Sequence, residues 1–221
     1  SFPSLISMCL LPGKGLLFTD SYLNQAMLIS EDEKKISSFT TSKGLDKPTG
    51  IAYSKATSQV WIIETGSHQI SVFDRSGMFI KSIGQRGTET GEFNFPTHLW
   101  IDDQGIAYVV DAMNFRIQIF NKEGKFLSAF GKAGDTTGSF SRPKGIATDS
   151  HGNIYVADAI FSSIQIFNKE GDFLYHFGSR GTDKGLFWMP AGIFIDKKDN
   201  IYVSDSYNNR VQVFQLIKEK K

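Results

Sequence analysis

Residues 117–127 read IQIFNKEGKFL, and residues 164–174 read IQIFNKEGDFL. The two segments differ only at Lys125 and Asp172, and they lie 47 residues apart. The same spacing separates three Gly-x-Phe motifs, each followed by a proline, and Pro48 and Pro3 continue the proline series at nearly the same spacing. The three motifs begin at Gly91, Gly138 and Gly185, and their prolines are Pro96, Pro143 and Pro190. A period of this length indicates a repeat protein.

Each repeat predicts four short β-strands, named a to d in chain order. In the fourth repeat we expect strand a at Gly145–Asp149, strand b at Ile154–Asp158, strand c at Ile164–Phe167 and strand d at Phe173–Phe177. Alternating apolar and polar residues, β-branched and aromatic content, and turns rich in Gly, Asn and Asp support these strands. Four antiparallel strands per repeat are typical of a β-propeller blade, and a solenoid of stacked β-units is the alternative.

We therefore predict an all-β fold, with a single β-propeller domain over residues 1–221. The five repeats cover about residues 1–43, 44–90, 91–137, 138–184 and 185–221. The fifth repeat stops after strand c, because Gln215–Lys221 has no Gly turn, and no strand precedes Phe2. Nineteen strands are expected, either in a five-bladed ring with one short blade or in part of a larger propeller. An unpaired outer edge is a liability, so we expect it to pair with another chain or segment.

Two segments, Pro143–Phe167 and Asn200–Phe214, resemble NHL repeats. The resemblance covers nearly the whole chain and is strongest in the last three repeats. It implies a β-propeller, commonly six-bladed, that serves as a docking surface for proteins or RNA. Some positions depart from the pattern: Glu64 replaces the usual Asp, and Ser67–Gln69 and Phe161–Ser163 replace the usual Asn-x-Arg.

Composition narrows the functional classes. Net charge is +1, from 24 basic and 23 acidic residues, which gives no broad electrostatic footprint for nucleic acid. No apolar run is long enough to span a bilayer. The single cysteine, Cys9, excludes an internal disulfide framework and a cysteine-based zinc site. The chain begins at Ser1 without an initiator Met or a signal peptide, so the compartment stays open, with export of a processed protein favoured over the cytoplasm.

Antiparallel connectivity sorts the loops onto two ends of each blade. The a–b and c–d turns share one end, and their Gly and charged residues predict solvated tight turns. The b–c loops and d–a crossovers share the other end, which we call the loop end. There, aromatic, Met and Arg residues that break the repeat predict a binding surface, because such residues are enriched at protein interfaces. The candidate binding residues are Tyr22, Phe95, His98, Met113, Phe115, Arg116, Arg142, Phe161, Trp188, Tyr207 and Arg210.

Residues of the loop end that recur with the period are expected to be structural. The Phe residues of the three Gly-x-Phe motifs are expected to act as pegs between blades. Arg116 follows Asp111, and Arg210 follows Asp205, each across a short b–c loop. We expect the Asp to bond loop N–H groups and the Arg to brace the Asp.

The four histidines predict no catalytic constellation. His68 and His98 are expected at the loop end, whereas His151 is expected in an a–b turn and His176 within a strand d. Peptide-amidating lyases, which resemble NHL propellers, use metal-bound histidines, but here no three histidines occupy successive repeats. We therefore predict no catalytic residue, no metal and no cofactor.

Three functions follow, in order. The first is a non-catalytic scaffold that binds a protein partner through the loop end. The second is an RNA-binding propeller that uses the same end, where basic residues alternate with aromatic ones. Acidic residues in the same crossovers disfavour RNA binding, because they repel its phosphate groups. The third and most distant is a metal-dependent lyase or hydrolase.

Overall fold

The structure is an all-β propeller with five blades. This computed structural model describes residues 5–40 and 42–216. Within them, nineteen strands form four four-stranded antiparallel sheets and one three-stranded sheet, as the sequence predicts. Pro3 and the tail from Ile217 onward, which entered the sequence predictions, lie outside the described residues.

Each blade is built from consecutive strands. Blade 1 contains β1 (Leu5–Leu11), β2 (Gly15–Asp20), β3 (Gln25–Ser30) and β4 (Ile36–Ser38). Blade 2 contains β5 (Pro48–Ser54), β6 (Gln59–Glu64), β7 (Gln69–Asp74) and β8 (Phe79–Ile83). Blade 3 contains β9 (Pro96–Ile101), β10 (Ala107–Asp111), β11 (Arg116–Phe120) and β12 (Phe126–Phe130).

The last two blades follow the same order. Blade 4 contains β13 (Pro143–Thr148), β14 (Ile154–Asp158), β15 (Ser163–Phe167) and β16 (Phe173–Phe177). Blade 5 contains β17 (Pro190–Ile195), β18 (Asn200–Asp205) and β19 (Arg210–Gln215). Two single-turn 3-10 helices, Ala112–Asn114 and Ser206–Asn208, precede β11 and β19. The described residues contain no helix with the length and hydropathy of a membrane span.

Strand a starts earlier than the sequence predicts. In blade 4 it begins at Pro143, which pairs with Asp158, and the register shifts before Ile146. Gly145 lies in this irregular stretch. A Cβ atom there would come within 2.6 Å of the carbonyl oxygen of Ala191 on β17. Glycine therefore allows the first strands of blades 4 and 5 to approach closely.

By its contacts, the chain divides into two compact units. The first comprises Ser1–Asn114 and Gln118–Ser128, and the second comprises Phe115–Ile117 and Ala129–Lys221. In the first unit, apolar residues of blades 1 and 2 form one cluster, and residues of blades 2 and 3 form another around Trp61 and Phe93. In the second unit, aromatic rings of successive blades pack together, as with Phe167 against Phe130.

Among the residues that the structure describes, one side of blade 5 is more exposed than the same side of blade 4. Ile164 and Ile166 on β15 are at most 6% exposed. The residues at the same positions on β19, Val211 and Val213, are 62% and 58% exposed. Equivalent apolar positions therefore contribute differently to stability, according to whether a neighbouring blade covers them.

Replacing Ile166 with Ala should lower the free energy of unfolding by about 3 kcal/mol, because it deletes buried methyl groups and leaves a cavity. The matched substitution Val213→Ala should change it by less than about 0.5 kcal/mol, since that side chain is exposed. Chemical denaturation of both variants measures the difference. If both variants lose the same free energy of unfolding, Val213 is covered in solution, which would contradict this account.

Candidate functional site

The b–c loop and the preceding d–a crossover meet at the loop end of blades 2 to 5, as predicted. In blade 3 the N–H of Met113 donates to the carbonyl of Asn94 at 3.0 Å. In blade 5 the N–H of Tyr207 donates to the carbonyl of Trp188 at 3.1 Å. Two chain segments thus form one surface at this end.

A buried carboxylate lies at the end of each strand b, and in blade 4 it anchors both segments. In blade 4 Asp158 accepts hydrogen bonds from the crossover N–H groups of Ser141 and Arg142, and from the loop N–H groups of Ile160 and Phe161. All five carboxylates are at most 2% exposed. They are Asp20, Glu64, Asp111, Asp158 and Asp205. Burial of a charge is tolerated only where hydrogen bonds satisfy it, so these bonds fix the loops.

A glutamine in the middle of strand c forms a second anchor, which was not among the residues predicted from the sequence. In blade 4 the side-chain oxygen of Gln165 accepts from the N–H of Gly138 at 2.8 Å, and its amide donates to the carbonyl of Ser139 at 2.8 Å. Gln118 and Gln212 bond the crossovers of their own blades in the same way. The signal was present, because a glutamine recurs every 47 residues inside otherwise apolar strands.

The Phe residues of the Gly-x-Phe motifs are pegs, as expected. Phe93, Phe140 and Phe187 are fully buried. In the second unit Phe140 packs between Phe130 of the preceding blade and Phe167 of its own blade, with ring centroids 6.3 and 5.5 Å away. Carboxylate, glutamine and phenylalanine together make the crossover part of the core.

Arg210 braces the carboxylate of blade 5, in agreement with the prediction. Its Nε donates to Asp205 at 2.8 Å, and its Nη2 donates to the carbonyls of Asp183 and Leu186. Burial alone would raise the pKa of Asp205. Hydrogen bonds from the Trp188 N–H, the Asn208 amide and Arg210 outweigh burial and hold that pKa below its usual range. Arg116 is half-buried at the start of β11.

The loop end of blade 5 presents an aromatic platform. Trp188 is 39% exposed and Tyr207 is 60% exposed, and their ring centroids lie 5.4 Å apart. The guanidinium carbon of Arg180 lies 5.9 Å from the Trp188 ring, within reach of a cation–π contact. The Trp188 N–H also donates to Asp205 at 2.7 Å, so buried bonds hold the platform's backbone.

The residue two positions after each anchoring carboxylate is the variable one. Four of the five blades carry a large exposed apolar side chain there, from 54% to 70% exposed. These residues are Tyr22, Met113, Ile160 and Tyr207, and Gly66 occupies the position in blade 2. The same backbone site therefore presents a different side chain in each blade.

Two candidate residues of the first unit are joined through a buried histidine. The N–H of Phe95 donates to Nδ1 of His68 at 3.1 Å, and the two rings make an edge contact with centroids 4.5 Å apart. Phe95 itself is 45% exposed. His98 lies on β9 and is half-buried, so it is a strand residue rather than a loop residue.

The remaining candidates lie in the second unit. Arg142 is exposed, whereas Phe115 and Phe161 are half-buried. Lys144, near Arg142, has a pKa below its usual value because of burial and then the neighbouring Arg142 charge. The structure thus brings Trp188 and Tyr207 together in this unit, and Phe95 and His68 together in the first unit.

A backbone feature of the loop end was not readable from the sequence. The residue just before each strand c has a positive φ, between 51° and 55°. These residues are Asn24, His68, Phe115, Ser162 and Asn209. Asn and His adopt this conformation more often than other residues, so Phe115 and Ser162 hold it through their surroundings.

The opposite end of the blades consists of closed turns, as predicted. In blade 4 Asp149 accepts from the N–H groups of His151 and Asn153, each at 2.9 Å, and from the hydroxyl of Tyr155 at 3.2 Å. Burial, followed by the Asp149 charge and hydrogen bond, raises the pKa of Tyr155. Within the described ranges, no three His, Cys, Asp or Glu side chains are grouped to hold a metal ion.

Two models of known protein families match parts of the chain, and both describe propeller repeats or propellers. Residues 187–214 match a family model described as the NHL repeat. Residues 40–117 match a model described as a 6-bladed beta-propeller. The resemblance to NHL repeats is therefore confirmed. No curated protein matches the sequence.

Solved structures share the fold at low identity. Virginiamycin B lyase from Staphylococcus aureus is 14% identical with a TM-score of 0.71, over 97% of this chain and 71% of that chain. A gluconolactonase from Xanthomonas campestris is 15% identical with a TM-score of 0.72, over 96% and 73%. A chain of the nidogen–laminin complex is 17% identical with a TM-score of 0.74, over 97% and 76%. At these identities the likeness shows the fold alone.

Replacing Asp205 with Asn should destabilise the protein by about 3 kcal/mol at pH 7, because it leaves Arg210 without its buried partner. The pKa of Asp205 is lowered in the folded state. Its contribution is therefore fully present above the unfolded pKa of about 4 and is lost as pH falls through the folded value. Urea denaturation at pH 7 and pH 3 should show the gap between variant and wild type narrowing in acid.

The matched control is Asp135→Asn, at an exposed carboxylate. Its stability should equal that of the wild type at pH 7, within about 0.5 kcal/mol. A gap for Asp205→Asn that stays constant from pH 7 to pH 3 would contradict the assigned role.

Proposed function

We propose that this propeller is a docking module that binds a protein partner through the exposed aromatic and apolar residues of its loop end. The observation that carries the proposal is the Trp188–Tyr207 platform, whose rings are exposed while their backbone groups are fixed by buried hydrogen bonds. Rigid aromatic residues with a neighbouring Arg are the side chains that dominate protein interfaces.

Preorganisation strengthens this interpretation. A partner that binds mobile loops must order them, and that ordering costs part of the interaction free energy. Here Asp205 holds the crossover, and the Tyr207 N–H is bonded to the Trp188 carbonyl. The platform therefore loses little freedom on binding. One structural neighbour is a chain of a protein–protein complex, which is consistent with docking on this fold.

Two other neighbours are named as enzymes, a lyase and a gluconolactonase. The hydrogen bonding and burial of His68 favour binding over metal-dependent catalysis for this chain. Its Nδ1 already accepts the N–H of Phe95, and its ring is 6% exposed. A loop-end histidine that anchors backbone in this way supports the surface around Phe95.

RNA is the second candidate ligand, and the stack of Arg180 on Trp188 is the observation that favours it. Bases of single-stranded RNA stack on aromatic rings, and Arg contributes cation–π attraction. The near-balanced charge of the chain favours protein over RNA.

The test uses a random peptide-display library selected on the wild-type protein. Selected peptides should bind the Trp188→Ala/Tyr207→Ala variant at least tenfold more weakly, because loss of a central aromatic residue costs about 1.4 kcal/mol or more. The control, Lys197→Ala/Lys198→Ala, changes the β17–β18 turn at the opposite end and should bind as the wild type does.

A random single-stranded 20-mer RNA, titrated in parallel at several salt concentrations, separates the two ligands. Protein docking predicts weak RNA binding that both variants share. RNA binding that is tight, falls linearly on a log–log salt plot and is lost in the aromatic variant would replace a protein partner with RNA. Peptides that bind both variants equally would overturn docking at this platform.

A further inference from the structure

The outer edge of β19 differs from the same edge in the blades before it. In blade 4 strand c is paired on both sides, and its outer partner β16 places Phe173 opposite Phe167 and Tyr175 opposite Ile166. In blade 5, among residues 5–40 and 42–216, β19 is paired with β18 alone. The equivalent backbone positions, Phe214 and Val213, therefore face an open edge.

In blades 2, 3 and 4 the strands at this edge share a sequence pattern, which β4 of blade 1 lacks. Each begins with Phe and carries Phe or Ile four residues later. They are Phe79–Ile83, Phe126–Phe130 and Phe173–Phe177. The first Phe packs edge-to-face on the last Phe of strand c, with ring centroids 5.8 to 6.0 Å apart. This aromatic pair sets the register of strand d against strand c.

Phe214 is already positioned for such a strand. Its ring lies 5.0 Å from Phe177 and 5.7 Å from Phe187. Phe167 has the corresponding contacts in blade 4, with Phe130 at 4.8 Å and Phe140 at 5.5 Å. Phe167 also packs against Phe173 of strand d, whereas blade 5 has no strand d among the described residues.

The turn that would deliver a hairpin strand is not encoded after β19. In blade 4 the side chain of Asn168 accepts the N–H groups of Glu170 and Asp172 and closes the c–d turn. Gln215 stands at this position in blade 5, where a longer side chain replaces the turn-forming Asn. The Asn-closed c–d turn of blades 3 and 4 is therefore not repeated at Gln215.

We propose that the edge of β19 is a strand-acceptor site for an extended segment of a partner polypeptide with the pattern Phe-x-x-x-Phe. The segment pairs antiparallel with Val211–Phe214. Its first Phe packs on Phe214, and its backbone N–H and C=O groups complete the ladder of blade 5. This site is independent of the Trp188–Tyr207 platform.

The probe is a synthetic peptide with the sequence of residues 168–181, which contains strand d of blade 4. Labelled at its N terminus, it should bind the 221-residue protein saturably in fluorescence anisotropy. A peptide with Phe173→Asp and Phe177→Asp should bind at least tenfold more weakly. The Trp188→Ala/Tyr207→Ala variant should bind the unmodified peptide as the wild type does, which separates this site from the proposed docking platform.

Backbone methylation tests for strand pairing. The N–H groups of successive residues point to opposite sides of a strand, so methylating every second residue of the peptide, in each of two frames, blocks the β19 ladder in one frame only. Loss of binding in one frame supports the proposal. Equal binding in both frames, or equal loss in both, would overturn strand addition.

Fusing the peptide to the end of β19 tests strand pairing without relying on the affinity of the free peptide. In a variant that carries residues 168–181 directly after Phe214, in place of Gln215–Lys221, the melting temperature should rise by about 5 °C or more. The same extension with both Phe replaced by Asp should give no rise. Failure of both the free peptide and the extension would exclude the site.

A second copy of the chain is the rival occupant. Light scattering across a range of concentrations would then show a dimer, and the peptide would fail to dissociate it or to bind. A monomer that binds one equivalent of peptide agrees with the proposal. A dimer that persists in excess peptide contradicts it.

Discussion

A buried carboxylate at the end of each strand b is the constraint on which the loop end of every blade depends. The five side chains are almost wholly excluded from solvent. A buried charge is tolerated only when hydrogen bonds replace its hydration, and each carboxylate draws those bonds from backbone or side-chain groups around it. In blades 3, 4 and 5 a crossover N–H is among the donors, at Asn94, Ser141 and Trp188. The crossover is thereby held like a strand.

This arrangement separates the scaffold from the surface. Asn94, Ser141 and Trp188 make the same backbone bond but carry unrelated side chains. The exposed position of the b–c loop varies in the same way from blade to blade. Recurring residues thus determine the backbone conformation, and the exposed side chains on that backbone differ from blade to blade. A surface of this kind suits recognition, because its geometry is fixed before a partner arrives.

Much of the fold was readable from the period alone. Nineteen strands, their order and the two ends of each blade follow from repeated apolar alternation and turn residues. The buried Phe pegs were also predictable, because residues that recur at one register are under a common structural demand. The glutamine of strand c carried the same signal, but its chemistry, bonding across to the crossover, becomes visible only when the two segments are adjacent in space.

Other parts of the site depend on tertiary contacts that spacing does not encode. Trp188 and Tyr207 lie on different segments, and their stacking requires the crossover and the b–c loop to meet. The positive φ of Phe115 and Ser162 contradicts their intrinsic preferences, so no local rule predicts it. Exposure was likewise unreadable: Phe161 is half-buried, whereas the neighbouring Ile160 is 55% exposed. The period predicts position along the blade, and neighbouring segments decide which side chains reach solvent.

Amide hydrogen exchange at the crossovers tests most directly whether buried carboxylates hold the loop end. The N–H groups of Asn94, Ser141 and Trp188 should exchange as slowly as those of the adjacent strands, because each is bonded to a buried carboxylate. Exchange at the rate of free loops, with the strands still protected, would contradict that role.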